Sequence, residues 1–194
     1  MAALPTICRR FAASTRGVAA TEFALIVPML LILFLASFDG ARAIAVYMKV
    51  RAATYTLASI TNQYTTSTNG IQTADMTAIT GSSAAVLAPY SGSPVVEKIT
   101  QIKATSASVA KVSWSYSLNG TAYTAGATWT LPSQFTTTNA CNSYPCYFIY
   151  AEVSYTYTPA FGYFVTGPIT LKDNLYATPR SSVCIQYNST PSTC

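Results

Sequence analysis

From Phe23 to Phe38 the chain reads FALIVPMLLILFLASF, sixteen residues without a charged group. A helix built from this run is apolar on every side, so it needs either lipid or a large surrounding core. Extending the run back to Val18 gives twenty-one residues with Glu22 as the one charge. At ~1.5 Å per residue such a helix spans roughly 31 Å, close to the hydrocarbon thickness of a bilayer. The full chain has 194 residues, enough for one domain plus an anchor but not for a core that would swallow that helix. The run therefore predicts a single membrane span. Arg9, Arg10 and Arg16 flank its N-terminal side. The positive-inside rule then puts the N-terminus in the cytoplasm and the C-terminal part in the periplasm or beyond. Pro28, inside the run, removes a backbone hydrogen bond and predicts a bend.

The helical pattern does not stop with the apolar run. Val46, Val50, Ala53, Leu57, Ile60 and Tyr64 are spaced by four and three residues, which aligns them on one helix face. Lys49, Arg51, Thr54 and Thr56 are expected on the opposite side. Asp39-Gly40 marks the change from lipid to water, so the second half should lie outside the bilayer with its apolar stripe against a partner surface.

Residues 65–95 are rich in Thr, Ser, Ala and Gly and read as a loop with at most one short helix near Ala74–Leu87. Beyond Val95 the period changes to two. Val112, Trp114, Tyr116 and Leu118 alternate with serines, and Ile149, Ala151, Val153, Tyr155 and Tyr157 alternate with Glu152, Ser154 and Thr156. Each pattern predicts a strand buried on one face. A third strand begins at Ile169, with Ile99–Ala104 and Thr128–Leu131 as weaker candidates, and Asn119-Gly120 has hairpin-turn chemistry. The fold class is therefore α+β: a long N-terminal transmembrane and amphipathic helix followed by an antiparallel β-sheet head. Its parts are a cytoplasmic leader over 1–17, the helix over 18–64 (in the membrane to about residue 38), and a β-rich head over 65–194.

The sequence carries eleven Lys and Arg against six Asp and Glu. Six of those basic groups and two of the acids fall in residues 1–51, a net of +4, which leaves +1 for the rest. A nucleic-acid partner requires a basic face on the folded domain, so the basicity belongs to membrane topology and no nucleic acid is expected. Cys8 precedes the apolar run, whereas Cys141, Cys146, Cys184 and Cys194 lie far beyond it. Four cysteines in a weakly charged extracytoplasmic domain predict two disulfides. Zinc competes, but C-x4-C and C-x9-C fit its usual spacings poorly and the chain has no histidine. Local pairing is the simplest of the three possible connectivities; the residues alone leave it open.

The stretch Arg16-Gly17-Val18-Ala19-Ala20-Thr21-Glu22-Phe23 resembles the processing site of type IV pilin-like precursors. The longer run RGVAATEFALIVPMLLILFLASFDGAR resembles the TadE/TadG-like pseudopilins of the tight-adherence (Tad/Flp) pilus system. The stretch from Tyr155 to Arg180 is similar to the end of the same family, while residues 65–147 offer no match. The chain is shorter than TadG-type members with a von Willebrand-like domain, so a TadE- or TadF-like label fits better. The resemblance implies a pilin-like fold and a precursor cut after Gly17 by a prepilin peptidase. Val18 becomes the new N-terminus, with Glu22 and Phe23 fifth and sixth in the mature chain. It also implies a minor pilin or pseudopilin acting in pilus assembly or adhesion. Its partners would be the peptidase, other pilins, the Tad membrane platform and the lipid bilayer. A carboxylate at the edge of an apolar helix costs up to about 3 kcal/mol near the bilayer centre. The ammonium made at Val18 would compensate Glu22; alternatively Glu22 sits at headgroup level, favoured by the helix dipole.

Three other readings compete. Ala41-Arg42-Ala43 is an A-x-A-like site after an apolar core, and a cut there would release a soluble periplasmic β-domain beginning at Ile44. The length of the apolar run and the acid at Glu22 weigh against it. A plain single-pass anchored envelope binding protein is the next, with Tyr123, Tyr144, Tyr147, Tyr163 and Tyr187 as candidate contact residues. An enzyme is the last: no histidine, no nucleophile motif and no C-x-x-C pair is present. No catalysis, cofactor or metal is therefore expected. Arg9-Arg10-Phe11 resembles a twin-arginine signal, but paired arginines serve topology equally well. Asn119-Gly-Thr and Asn188-Ser-Thr match the glycosylation acceptor by chance in a Thr/Ser-rich chain.

Overall fold

The computed structural model describes residues 16–64, 70–90, 95–136, 141, 143–162, 167–188 and 194. Residues 1–15, with Cys8, and Tyr163 lie outside the described residues. Two compact units divide the chain, Met1–Ala43 with Pro159–Gly167 and Ile44–Thr158 with Pro168–Cys194.

One helix, α1 (Arg16–Thr61), runs through the whole apolar stretch and the amphipathic stripe; Pro28 sits inside it without ending it. In the head unit Val46, Val50, Ala53 and Leu57 are completely buried, as their spacing requires. The buried face is wider than the stripe. Thr54 and Thr61 are fully enclosed as well, and each hydroxyl donates to the carbonyl four residues back, Val50 and Leu57. That internal bond lets a threonine replace an apolar residue at little cost. Thr54 is thus corrected from the outer to the inner face. The helix also stops at Thr61, leaving Tyr64 beyond it and only half-buried.

The second helix, α2 (Thr73–Val86), occupies the region expected to hold at most one short helix. Gln72 and Asp75 form a reciprocal cap at its start, which satisfies amides that the helix leaves unpaired. Lys49 of α1 donates to the Val86 and Ala88 carbonyls at its end.

Five strands follow: β1 (Val96–Ala104), β2 (Ala110–Leu118), β3 (Thr128–Trp129), β4 (Cys146–Tyr157) and β5 (Ile169–Ala177), with a single helical turn α3 (Ser133–Thr136) before β4. They form one antiparallel sheet in the order β3-β2-β1-β4-β5. The weaker candidate β1 is therefore the central strand. Asn119-Gly120 is not a two-residue hairpin: it turns the chain off the end of β2, with Asn119 at φ 55° and its Nδ2 donating to the Val95 carbonyl. The tight connection instead lies between β1 and β2, where Thr105 and Val109 close residues 105–109.

Two sequence expectations about faces are overturned. Gln101 pairs with Trp114 but Ile102 pairs with Val112, so Ser113 is an extra residue. This bulge shifts the side-chain period. Val112 joins Ile102 and Ala104 on one face, while Trp114, Tyr116 and Leu118 share the other with Ile99 and Gln101. Strand β4 is buried on both faces rather than one: Phe148, Tyr150 and Glu152 are as inaccessible as Ile149, Ala151 and Val153. Residues from the long β2–β4 connection cover that side, where Leu131 and Cys141 cluster with Ile102, Ala110, Phe148 and Tyr150. The opposite face meets α2 through Ser83 and Glu97. It meets the C-terminal segment through Ile185, whose amide donates to Gln101 Oε1 and whose carbonyl accepts from Trp114 Nε1.

Candidate functional site

Gly17, Val18, Glu22 and Phe23 all lie in the first two turns of α1. Val18 and Phe23 are exposed at 56% and 67%, and Glu22 is exposed one turn from Val18. Thr21 Oγ1 donates to the Val18 carbonyl at 2.8 Å. Leu25, Met29, Leu33 and Phe34 beyond them are each more than 60% exposed. This helix is long and apolar enough to cross a membrane, and none of its most apolar stretch is buried. A core helix of a water-soluble domain would show the opposite, since apolar side chains seek burial.

At the end of the apolar run Asp39 is engaged by a loop. Its carboxylate accepts from the amides of Ala160 (3.2 Å), Phe161 (3.2 Å) and Gly162 (3.3 Å). The Phe38 and Phe161 rings meet edge-on at 5.7 Å, and the Arg42 guanidinium lies 5.8 Å from the Phe38 centroid. In the sequence Asp39 marks only a boundary between apolar and polar stretches. Its partners come from 121–123 residues away, a separation that periodicity does not see.

The head holds two buried carboxylates, Glu97 and Glu152, that no sequence motif singles out. Glu97 is completely enclosed, its Oε2 is 2.5 Å from Ser83 Oγ, and its Oε1 has no partner among the described residues. Ser83 Oγ also bonds the Thr80 carbonyl at 3.1 Å. One hydroxyl hydrogen serves one of these acceptors, so a neutral Glu97 that donates to Ser83 satisfies both contacts. Burial pushes its pKa up from 4.5 to about 7, against the lowering effect of the serine.

Glu152 behaves differently. It accepts from Tyr123 (3.0 Å) and Tyr150 (3.2 Å) and pairs with Lys172 at 2.9 Å. Burial raises its pKa, but the bonds from Lys172 and Tyr123 and the charges of Lys172 and Lys98 outweigh that and hold it below its ordinary value. Burial, then the hydrogen bond and charge of Glu152, push Tyr123 up to about 12, and Tyr150 is raised by burial and Glu152 too. An acid within an apolar strand pattern was the available signal for both residues; which partner each meets was not.

The structure joins Cys141 to Cys146 and Cys184 to Cys194, selecting local pairing. Tyr144 is 40% exposed, but Tyr147 is buried and donates to the Cys194 carbonyl. Tyr123 is spent on Glu152, and Tyr187 stacks on Trp114 at 5.3 Å. Tyr147 is therefore an internal contact, while Tyr123 and Tyr187 are half-buried and keep internal partners of their own. An open cleft of about 670 Å³ beside β2 is lined by Lys103, Lys111, Trp114, Tyr123 and Tyr187.

An exposed apolar helix of spanning length that continues into the core of an antiparallel-sheet head defines a class, the α+β protein led by one candidate membrane span. Residues 17–59 match the family model described as TadE-like protein, consistent with the TadE/TadG-like family. The match covers the apolar run and the buried stripe of α1 and ends before the sheet. No curated protein and no solved structure matches the chain.

Proposed function

We propose that the chain is a minor pilin or pseudopilin of the Tad pilus, anchored in the inner membrane by residues 18–38 with its head on the periplasmic side. A prepilin peptidase would cut the precursor after Gly17, and the helix would pack against other pilins and the assembly platform as a filament is primed, joined or capped. The role is structural, with no catalysis. Adhesion through the head's exposed surface is compatible with it.

The observation that carries this reading is the family match that starts at Gly17, the residue before the proposed cut. Glu22 supports it: a carboxylate one turn from the position of a new ammonium has a chemical reason to be there. One observation favours release instead, because the compact head unit begins at Ile44, where a signal peptidase would leave it. Such a cut would strip Asp39 from its three amide donors, which weighs for the anchored form.

The test is the N-terminal residue of the mature protein from its native host. Val18 is expected; Ile44 would replace the anchored pilin with a released domain, and an intact N-terminus would leave an unprocessed single-pass protein.

A further inference from the structure

Phe161 is 47% exposed on the loop after β4, a costly place for a phenylalanine in water, and its backbone is held by Asp39 on the helix. Phe34 and Phe38 are four residues apart, so they share a helix face, and they are 68% and 44% exposed. Phe161 packs edge-on against Phe38, which continues that exposed apolar face from the helix onto the loop. Arg42, one turn further, brings a cation over Phe38. Phenylalanines, then aromatic contact, then arginine is the order of chemistry met on leaving a bilayer: acyl chains, the interfacial layer, headgroup phosphates. The same latch also removes the polar obstacle to that position. Three amides that lipid would leave unsatisfied are bonded to a carboxylate, and that carboxylate is matched by three donors.

We infer that residues 159–162, after β4, form a second membrane contact. Asp39 latches them to the helix, so that Phe161 enters the interfacial layer of the same bilayer that takes residues 18–38. The occupant of this patch is lipid, because the patch is continuous with the apolar surface of the anchor. The inference rests on the anchored reading above. It adds that the span is held at a defined depth by a collar on its periplasmic side.

The experiment uses the full chain with Phe161→Trp, reconstituted at one copy per phospholipid nanodisc. Emission from Trp114 and Trp129 is subtracted using the parent protein. Leu31→Trp, in the middle of the span, is the reference. The inference expects a blue-shifted signal from Phe161→Trp, quenched more by nitroxides near the headgroup than by ones deep in the acyl chain, and weakly by aqueous iodide. Adding Asp39→Ala should restore iodide quenching and abolish the lipid quenching. Deep quenching of Leu31→Trp alongside iodide quenching of Phe161→Trp would overturn the collar and leave the anchor standing. Shielding of Phe161→Trp from both quenchers would assign the loop to a protein contact, also against the inference. Absence of lipid quenching at both positions would overturn the anchor and the collar together.

Discussion

Glu97→Gln tests the buried carboxyl of the head most directly. Glutamine keeps the shape of Glu97 and, like its neutral form, donates to Ser83 Oγ while Ser83 donates to Thr80. Glu97 titrates near 7 when folded and 4.5 when free. The folded state therefore binds more protons than the unfolded state between those values, so stability falls as pH rises through that window. The contribution is fully present below pH 4.5 and lost once pH passes 7. A shift of that size corresponds to about 3 kcal/mol. Glutamine never ionises, so the variant's advantage over the parent should be small near pH 5, where most of the contribution remains, and rise to about 3 kcal/mol at pH 8. For a domain of this size that is roughly 6–12 °C in Tm. Glu152 does not confuse the measurement: its folded pKa is lowered, so its stabilising effect disappears only as pH falls below its ordinary range. Thermal unfolding of both proteins from pH 5 to pH 8, followed by near-ultraviolet circular dichroism, gives the two profiles. Parallel profiles would refute the reasoning, since Glu97 would then carry the same charge in both states.

Glu152→Ala leaves the hydroxyls of Tyr123 and Tyr150 without their acceptor and Lys172 without its partner. A loss of about 2–3 kcal/mol is expected in urea unfolding. Gly70 has φ +62°, and a Cβ there would stand 2.5 Å from the Gln186 carbonyl oxygen. Gly70→Ala should therefore cost about 1–3 kcal/mol. Gly81 lies in α2 with nothing near its missing Cβ, so Gly81→Ala should raise stability by up to about 1 kcal/mol in the same urea unfolding. Replacing Cys184 and Cys194 together by serine opens the loop between them and frees the carbonyl that accepts from Tyr147 and Lys103. About 2–3 kcal/mol should be lost, visible as a lower urea midpoint.

The apolar run, the stripe Val46–Val50–Ala53–Leu57 and the existence of β2, β4 and β5 were legible because each is a periodic signal within one segment. The family resemblance at Gly17–Phe23 was legible for the same reason, being a short contiguous motif. The face of Val112 was not, because a one-residue bulge at Ser113 depends on how β1 and β2 pair. Thr54 was misplaced because a threonine that bonds its own helix behaves as an apolar residue once enclosed.

Sequence by itself determined that one helix is long and apolar enough to span a bilayer, that a sheet follows it, and that four of the cysteines fall within the sheet-bearing part. Those conclusions follow from local composition and period, which act before any distant contact forms. Tertiary structure alone decided that β4 is covered on both faces, that Glu97 and Glu152 are buried with opposite consequences for their protons, and that Asp39 holds the loop at Phe161. Each depends on bringing together segments that local sequence pattern does not connect, from Ser83 and Glu97, 14 residues apart, to Asp39 and Gly162, 123 apart, and desolvation and hydrogen bonding respond only to that final proximity.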